Sequence, residues 1–322
     1  MDRLLTLQEL RDALRASPVY RNKQHIIPIS GLFAEFSASF GIRNGDDAAA
    51  IPYGDGFLLF AAEGITEALI RHDPRLAGRC AVQANINDIY AMGGRPIAVV
   101  DVLGTPNDAI AAELCRGMQE NALRYNVPVV GGHVLRTERE ASIAVAVLGK
   151  ARRCITSFNA RPGDRLLLVR RHSGAWLGDM GFWNGTLPED DAKLLPDLEL
   201  LPQCAEQELV LSGKDVSMAG ISGTALMLAE SSRVGVSLDI DRITPPEGVP
   251  LTAWLLAFLS YGFLLAVHPS RQAETMALFL KAGLYVADIG AFHLERRAWL
   301  SQGAYLSVLW DFEKEPFAEG AA

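Results

Sequence analysis

The sequence predicts an α/β fold in two domains, and three observations carry that expectation. Strand-like apolar runs alternate with segments of helical period along both halves of the chain. The length, 322 residues, suits about two domains. Turn chemistry at Arg161-Pro162-Gly163-Asp164 follows a boundary expected between Ala151 and Arg161, giving domains 1–152 and 153–322. The alternation does not demand a parallel sheet, because split βαβ arrangements produce the same order and belong to the α+β class.

The elements follow in chain order. Leu4–Ala16 has a helical stripe of Leu4, Leu7, Leu10 and Leu14, and Arg21–Ser30 reads as irregular and basic. Phe57–Ala62 is a strand. His72-Asp73-Pro74 starts a helix, with Asp73 able to cap and Pro74 suited to the first helical position; the helix runs to Met92 and stops at Gly93-Gly94. Ile97–Leu103 is a buried strand, Ala109–Tyr125 a helix, Val127–Val130 a short strand leading into Gly131-Gly132-His133, and Ser142–Leu148 a strand. Beyond the boundary come strand Arg165–Val169 and helices Ala175–Phe182 and Pro202–Leu211. A Gly-rich turn, helix Gly223–Ser232 and strand Val236–Ile240 follow. Helix Leu251–Leu259, strand Phe263–Val267, helix Ser270–Ala282 and strand Val286–Ile289 close the series. Leu251–Val267 carries no charge, but Ser260-Tyr261-Gly262 interrupts it short of the ~20 apolar residues that a membrane span needs.

Composition narrows the function classes. With 30 Lys and Arg against 38 Asp and Glu, the formal charge is −8, which argues against a nucleic-acid footprint. Cys80, Cys115, Cys154 and Cys204 form no paired motif, so a zinc site is not expected; the first three read as core residues, and Cys204 lies in a more polar stretch. Met1–Leu14 is charged and amphipathic rather than a secretory leader, and the expected compartment is the reducing cytoplasm. The tail Glu319–Ala322 alone reads as disordered.

Four stretches could carry chemistry. In Gly45-Asp46-Asp47-Ala48-Ala49 two adjacent carboxylates repel, so they belong either in solvent or on a cation. Asp88, in Asn85-Ile86-Asn87-Asp88-Ile89, interrupts an apolar helix with poor helix formers; it is a ligand or part of an exposed stripe with Gln83 and Asn87. Gly131-Gly132-His133 would let backbone amides approach a phosphate, with His133 as ligand or as turn residue. Asp215-Val216-Ser217-Met218-Ala219-Gly220 precedes a helix whose N-terminal amides suit an anion. A P-loop, a dinucleotide-binding fingerprint and a nucleophile elbow are all missing.

The order of these signals resembles the superfamily of aminoimidazole-ribonucleotide (AIR) synthetase, thiamine-monophosphate kinase, selenophosphate synthetase and the hydrogenase-maturation carbamoyl dehydratase. The resembling segments are Gly45–Ala49, Ala81–Pro96, Gly131–His133, Ala160–Asp164, Asp215–Ser232 and Tyr261–Phe292. The most specific stretch is Asn-Asp-Ile-Tyr-Ala-Met-Gly-Gly-Arg-Pro, and the chain looks closest to a branch labelled only as synthetase-related. The resemblance implies an N-terminal domain whose sheet pairs into a barrel across a homodimer, a C-terminal α/β domain, and ATP with Mg2+ between them. It implies metal-binding roles for Asp47, Asp88 and Asp215, and more loosely Glu63. It sets His133 where related branches carry Asp, Glu or His, and Ser217 on a nucleotide-contacting serine; Gly131 and Gly132 would approach the nucleotide. Lys23 is the one arm residue placed to reach a γ-phosphate, unless it is simply solvated. Two positions depart from the pattern: Met218 stands for a second aspartate and Ser157 for a nucleotide-contacting arginine. The function implied is ATP-dependent activation of an oxygen, amide-type in the first instance, on a small molecule. The alternatives are a non-catalytic nucleotide-binding or scaffold subunit and a thiamine-monophosphate-kinase-like enzyme.

Overall fold

A computed structural model describes residues 6–25, 42–187 and 191–318. Two compact units result. The five-stranded unit comprises Asp47–Cys154 and Thr186–Glu206; the seven-stranded unit comprises the described residues up to Asp46, Ile155–Gly185, and those from Gln207 onward.

In the five-stranded unit, β1 (Ala49–Tyr53), β2 (Gly56–Gly64), β3 (Arg95–Thr105), β4 (Val129–Arg136) and β5 (Ser142–Ala151) lie in the order β1-β2-β5-β3-β4. All neighbours are antiparallel except β3 and β4. Alternation sets two faces. Leu59, Ala61, Val99, Leu103, Val145 and Val147 are buried on one face. Helix Pro74–Ala91 covers that face, with Ile89 against Gly149. The helix starts as the sequence predicts: the Leu76 amide donates to Asp73 at 2.9 Å and Pro74 occupies the first turn. It stops at Gly93, whose φ of 70° suits a residue lacking Cβ. Helix Asp108–Arg124 crosses it at Gly78 and Gly117. The other face leaves Ile51, Tyr53, Phe60, Val100, Val102 and Leu148 exposed. Short helices Asp191–Leu198 and Leu200–Glu206 complete the unit, tied down where Arg95 meets Glu199 and Glu206, each at 2.7 Å.

The seven-stranded unit contains β6 (Arg165–Arg170), β7 (Ala175–Leu177), β8 (Phe182–Asn184), β9 (Ser212–Asp215), β10 (Gly235–Asp239), β11 (Phe258–Leu259), β12 (Gly262–Val267), β13 (Tyr285–His293), β14 (Arg297–Gln302) and β15 (Tyr305–Asp311). Its main sheet runs β15-β14-β10-β13-β6-β12-β9, and β11-β8-β7 form a small second sheet. Strand β12 and helix Gly220–Ser231 are buried throughout. An all-apolar segment therefore belongs to the core, and among the described residues no helix is long and apolar enough to cross a membrane. Helix Leu7–Arg15 buries Leu7, Leu10 and Leu14 as the stripe predicts, behind a Thr6–Glu9 capping box; Leu4 lies outside the described residues. Helix Pro269–Lys281 packs beside β13.

Several expectations are corrected. Arg21–Gln24 continues a helix, Pro18–Gln24, capped by Ser17; Ile26–Ser30 and Glu319–Ala322 lie outside the described residues. The expected helix Ala175–Phe182 is a β7–β8 hairpin, because Trp176, Phe182 and Trp183 pack best on a pleated surface. Pro202–Leu211 stops at Glu206, and helix Leu251–Leu255 gives way to β11. Ser212-Gly213-Lys214 is strand β9 rather than a loop, held by β12. Gly131-Gly132-His133 sits inside β4, not at a strand end. Cys204 is buried and Cys115 exposed, the reverse of the sequence reading.

Candidate functional site

The five-stranded unit gathers a carboxylate pair. Asp47 follows Gly45, whose φ of 101° turns the chain into β1. Asp88 lies in the last turns of helix Pro74–Ala91 and is 5% exposed. Gln83 and Asn87 are buried as well, which removes the exposed-stripe reading. Hydrogen bonds satisfy two of these polar groups: Asn85 donates to the Ala81 carbonyl one turn back at 2.8 Å, and Thr186, 103 positions on, donates to Gln83 at 3.3 Å. Carboxylate oxygens of Asp47 and Asp88 stand within 4.8 Å of each other. Two like charges so close, one of them buried, repel strongly unless a cation lies between them. Hard oxygen donors from separate segments are what Mg2+ takes, so the residues fit that ion.

Other expected residues of this unit sit apart from the pair. Glu63 ends β2, exposed; its register with Val145 puts it on the helix-covered face, but it does not share the cluster. His133 pairs with Val102 across β3 and β4, and so points to the open face. The unit does not bring it to Asp88. Gly132 has a reason of its own: a Cβ there would stand 2.4 Å from the Asp101 carboxylate, whose pKa burial pushes up. Gly131 meets no such neighbour.

The seven-stranded unit gathers a second set. Strand β9 ends at Asp215, 3% exposed, whose carbonyl accepts from the Ser217 amide at 3.2 Å. Ala219 then adopts φ 86°, costly for a residue with a Cβ, and Gly220 adopts 65°. Gly220 is obligatory, since a Cβ would fall 2.3 Å from the Leu256 backbone. Helix Gly220–Ser231 starts there without a side-chain cap, leaving first-turn amides for an anion. The arm helix Pro18–Gln24 docks onto this turn. Buried Tyr20 donates to Ser222 at 2.8 Å, and Ser222 donates to the Leu255 carbonyl at 2.9 Å. That contact holds Lys23 with its Nζ 3.5 Å from Ser217 Oγ. Lys23 and Ser217 are thus brought together.

The two departures also find places. Met218 is 40% exposed. Ser157 is fully buried, and its amide and hydroxyl both donate to Asp46, at 2.9 and 2.6 Å. Adjacent Asp46 and Asp47 therefore do different work, a division that sequence reasoning missed. No residue beside Ser157 in the sequence is acidic, so nothing local marked its pairing with Asp46.

Residues 45–151 match the family described as AIR synthase related protein, N-terminal domain, and residues 161–296 match the corresponding C-terminal domain. The uncharacterised protein sll0787 of Synechocystis sp. is 44% identical over 276 residues, covering 85% of this chain and 86% of that protein. A selenide, water dikinase of Myxococcus xanthus is 26% identical over 298 residues, covering 79% and 84% of the two chains. Among solved structures, T. maritima PurL complexed with AMPPCP superposes with a TM-score of 0.74 at 18% identity, over 99% of this chain; this chain spans 52% of that longer one.

Proposed function

The chain belongs to the AIR synthase-related protein family, and from that premise we propose that it is a Mg2+- and ATP-dependent enzyme that phosphorylates an oxygen of a small molecule. The observation that carries the reading is the Asp47–Asp88 pair, which calls for a hard cation. Asp215 is the third proposed ligand. These carboxylates would hold the ion, which would supply charge neutralisation for phosphoryl transfer.

The chain's own residues supply the rest. Lys23, anchored through Tyr20, offers a cation beside Ser217. The uncapped amides of helix Gly220–Ser231 offer donors to an anionic group. Both favour a phosphate at this turn. With Ser157 engaged by Asp46, nucleotide contact at this position falls to other groups. Met218 is a poor Mg2+ ligand, so the metal count is expected to be lower than with two aspartates at this step. An amide-type oxygen is the proposed acceptor. The open apolar face of the five-stranded sheet supports a homodimer, and four free cysteines suit a reducing cytoplasm.

A scaffold role is the second reading, favoured by Met218 alone. Calorimetric titration with a non-hydrolysable ATP analogue separates the readings from a chance carboxylate cluster. Wild type is expected to bind only with Mg2+, and Asp88→Ala to weaken binding about tenfold or more while melting near wild type. Affinity indifferent to both Mg2+ and Asp88→Ala would sink the metal assignment. ADP release in an amide and carboxylate screen then separates enzyme from scaffold.

A further inference from the structure

Strand β6 carries an arginine at each end, and their surroundings differ. Arg165 lays its Nε and Nη2 against the Asp288 carboxylate at 2.8–3.2 Å. Arg170 is 5% exposed, yet the same edge of its guanidinium meets no acceptor among the described residues. Among the described residues it donates one hydrogen bond, from Nη1 to the Arg171 carbonyl at 3.0 Å. Rings flank the charge instead: Tyr285, its neighbour on β13, at 4.2 Å and Trp254 at 5.2 Å. Burial pulls the Arg170 pKa down, and no carboxylate opposes that pull. Guanidinium groups are almost never buried so far without an anion, and ring faces recover only part of the desolvation cost.

Trp254, and Trp183 packed against it, are also short of acceptors. Trp254 is fully buried and Trp183 is 6% exposed, packed edge to face with ring centres 5.7 Å apart. Among the described residues neither indole N–H has a hydrogen-bond partner. Gly174 passes over the Trp183 nitrogen, and a Cβ at that position would stand 2.6 Å from it. Every unsatisfied group here, Arg170 Nε and the two indole nitrogens, is a donor.

We propose that the C-terminal end of β6 is an oxyanion site, in which the Nε–Nη2 edge of Arg170 grips a carboxylate or phosphate group of a small molecule. The fork geometry of that edge suits two-oxygen recognition, and the indole N–H groups of Trp183 and Trp254 add donors. All of these residues belong to the seven-stranded unit. The site goes beyond the phosphoryl-transfer reading and does not depend on ATP binding.

The test uses the full chain with 15N-labelled tryptophan, titrated without nucleotide at constant ionic strength. The probes are sodium benzoate and, separately, inorganic phosphate, with chloride as control. Trp183→Phe and Trp254→Phe assign the two indole signals among the five tryptophans. One probe is expected to shift both signals saturably, and which probe does so tells carboxylate from phosphate. Arg170→Met should weaken that binding about tenfold or more. Without the probe, this variant should melt at or above the wild-type temperature, since an uncompensated buried charge has gone. Arg170→Lys keeps the charge but loses the fork, and should also bind more weakly. Signals unmoved by either probe, or equal affinity in both arginine variants, would overturn the proposal. So would a markedly lower melting temperature of probe-free Arg170→Met, which would make the arginine a packing residue.

Discussion

Burial pushes the thiols of Cys80 and Cys204 up to about 12, so both stay protonated in the folded chain far into the alkaline range. In the unfolded chain they ionise near the ordinary value, about 9. Between these values the unfolded state holds fewer protons, so stability falls as pH rises. Each thiol is expected to cost about 1 kcal/mol between pH 9 and 10. Urea unfolding under reductant at both pH values checks this: Cys80→Ala/Cys204→Ala should lose less stability over that interval than wild type. An identical loss would show that the thiols do not drive it. Ser157 gives a second test. Replacing it by alanine removes the hydroxyl donor to Asp46 and should cost about 1.5–3 kcal/mol, the range for a bond to a charged group. A melting temperature unchanged in Ser157→Ala would show Asp46 satisfied without it. At this scale the sequence exposed Asp47 and Asp88, because adjacent carboxylates and a carboxylate in an apolar helix are both locally anomalous. The burial of Cys204 and the engagement of Asp46 by Ser157, 111 positions away, leave no local trace.

Helices Pro74–Ala91 and Asp108–Arg124 approach through glycines. A Cβ on Gly117 would lie 1.9 Å from the Arg75 carbonyl oxygen, and one on Gly78 would lie 2.1 Å from that of Leu114. In an exposed helix, glycine to alanine gains about 1 kcal/mol of propensity. Here the added methyl meets backbone on the partner helix, and overpacking of that kind costs about 1–3 kcal/mol or more. The clash should win, so Gly117→Ala is expected to lower stability by about 2 kcal/mol in denaturant unfolding; a stabilised variant would refute the tight crossing. Such elements show how far local pattern reaches. Both helices were legible from cap residues and period, since Asp73, Pro74 and the Gly93 stop act within a turn of themselves. Strand β9 was not, because Ser-Gly-Lys-Asp has poor strand propensity and is held extended by pairing with β12. β14 and β15 were missed because polar residues dilute their alternation; their pairing with each other, and of β14 with β10, supplies the order.

The open face of the five-stranded sheet leaves a field of apolar side chains exposed. Phe60 is 50% exposed, Val102 49% and Val100 41%, and register sets all three on the face opposite helix Pro74–Ala91. Isolated exposed apolar residues need no explanation, but a contiguous field of them marks an interface. The same sheet ends in β1 and β4, and all eight positions of β4 are exposed, an edge open to further strand pairing. The homodimer proposed above would satisfy both needs at once, since a twofold axis would present the same apolar face and the same edges to each other. His133 then acquires a setting, for register puts it beside Val102 on this face and away from Asp88. A charge at the centre of the face should be far more costly in the dimer than in the free chain, where it meets water. Val100→Asp is therefore expected to shift the chain from dimer to monomer in multi-angle light scattering at micromolar concentration, while far-ultraviolet circular dichroism stays as in wild type. Nucleotide affinity measured on the same variant tells whether dimerisation matters for the site. A wild-type chain that runs as a monomer, or a Val100→Asp chain that stays dimeric, would remove this face as the interface.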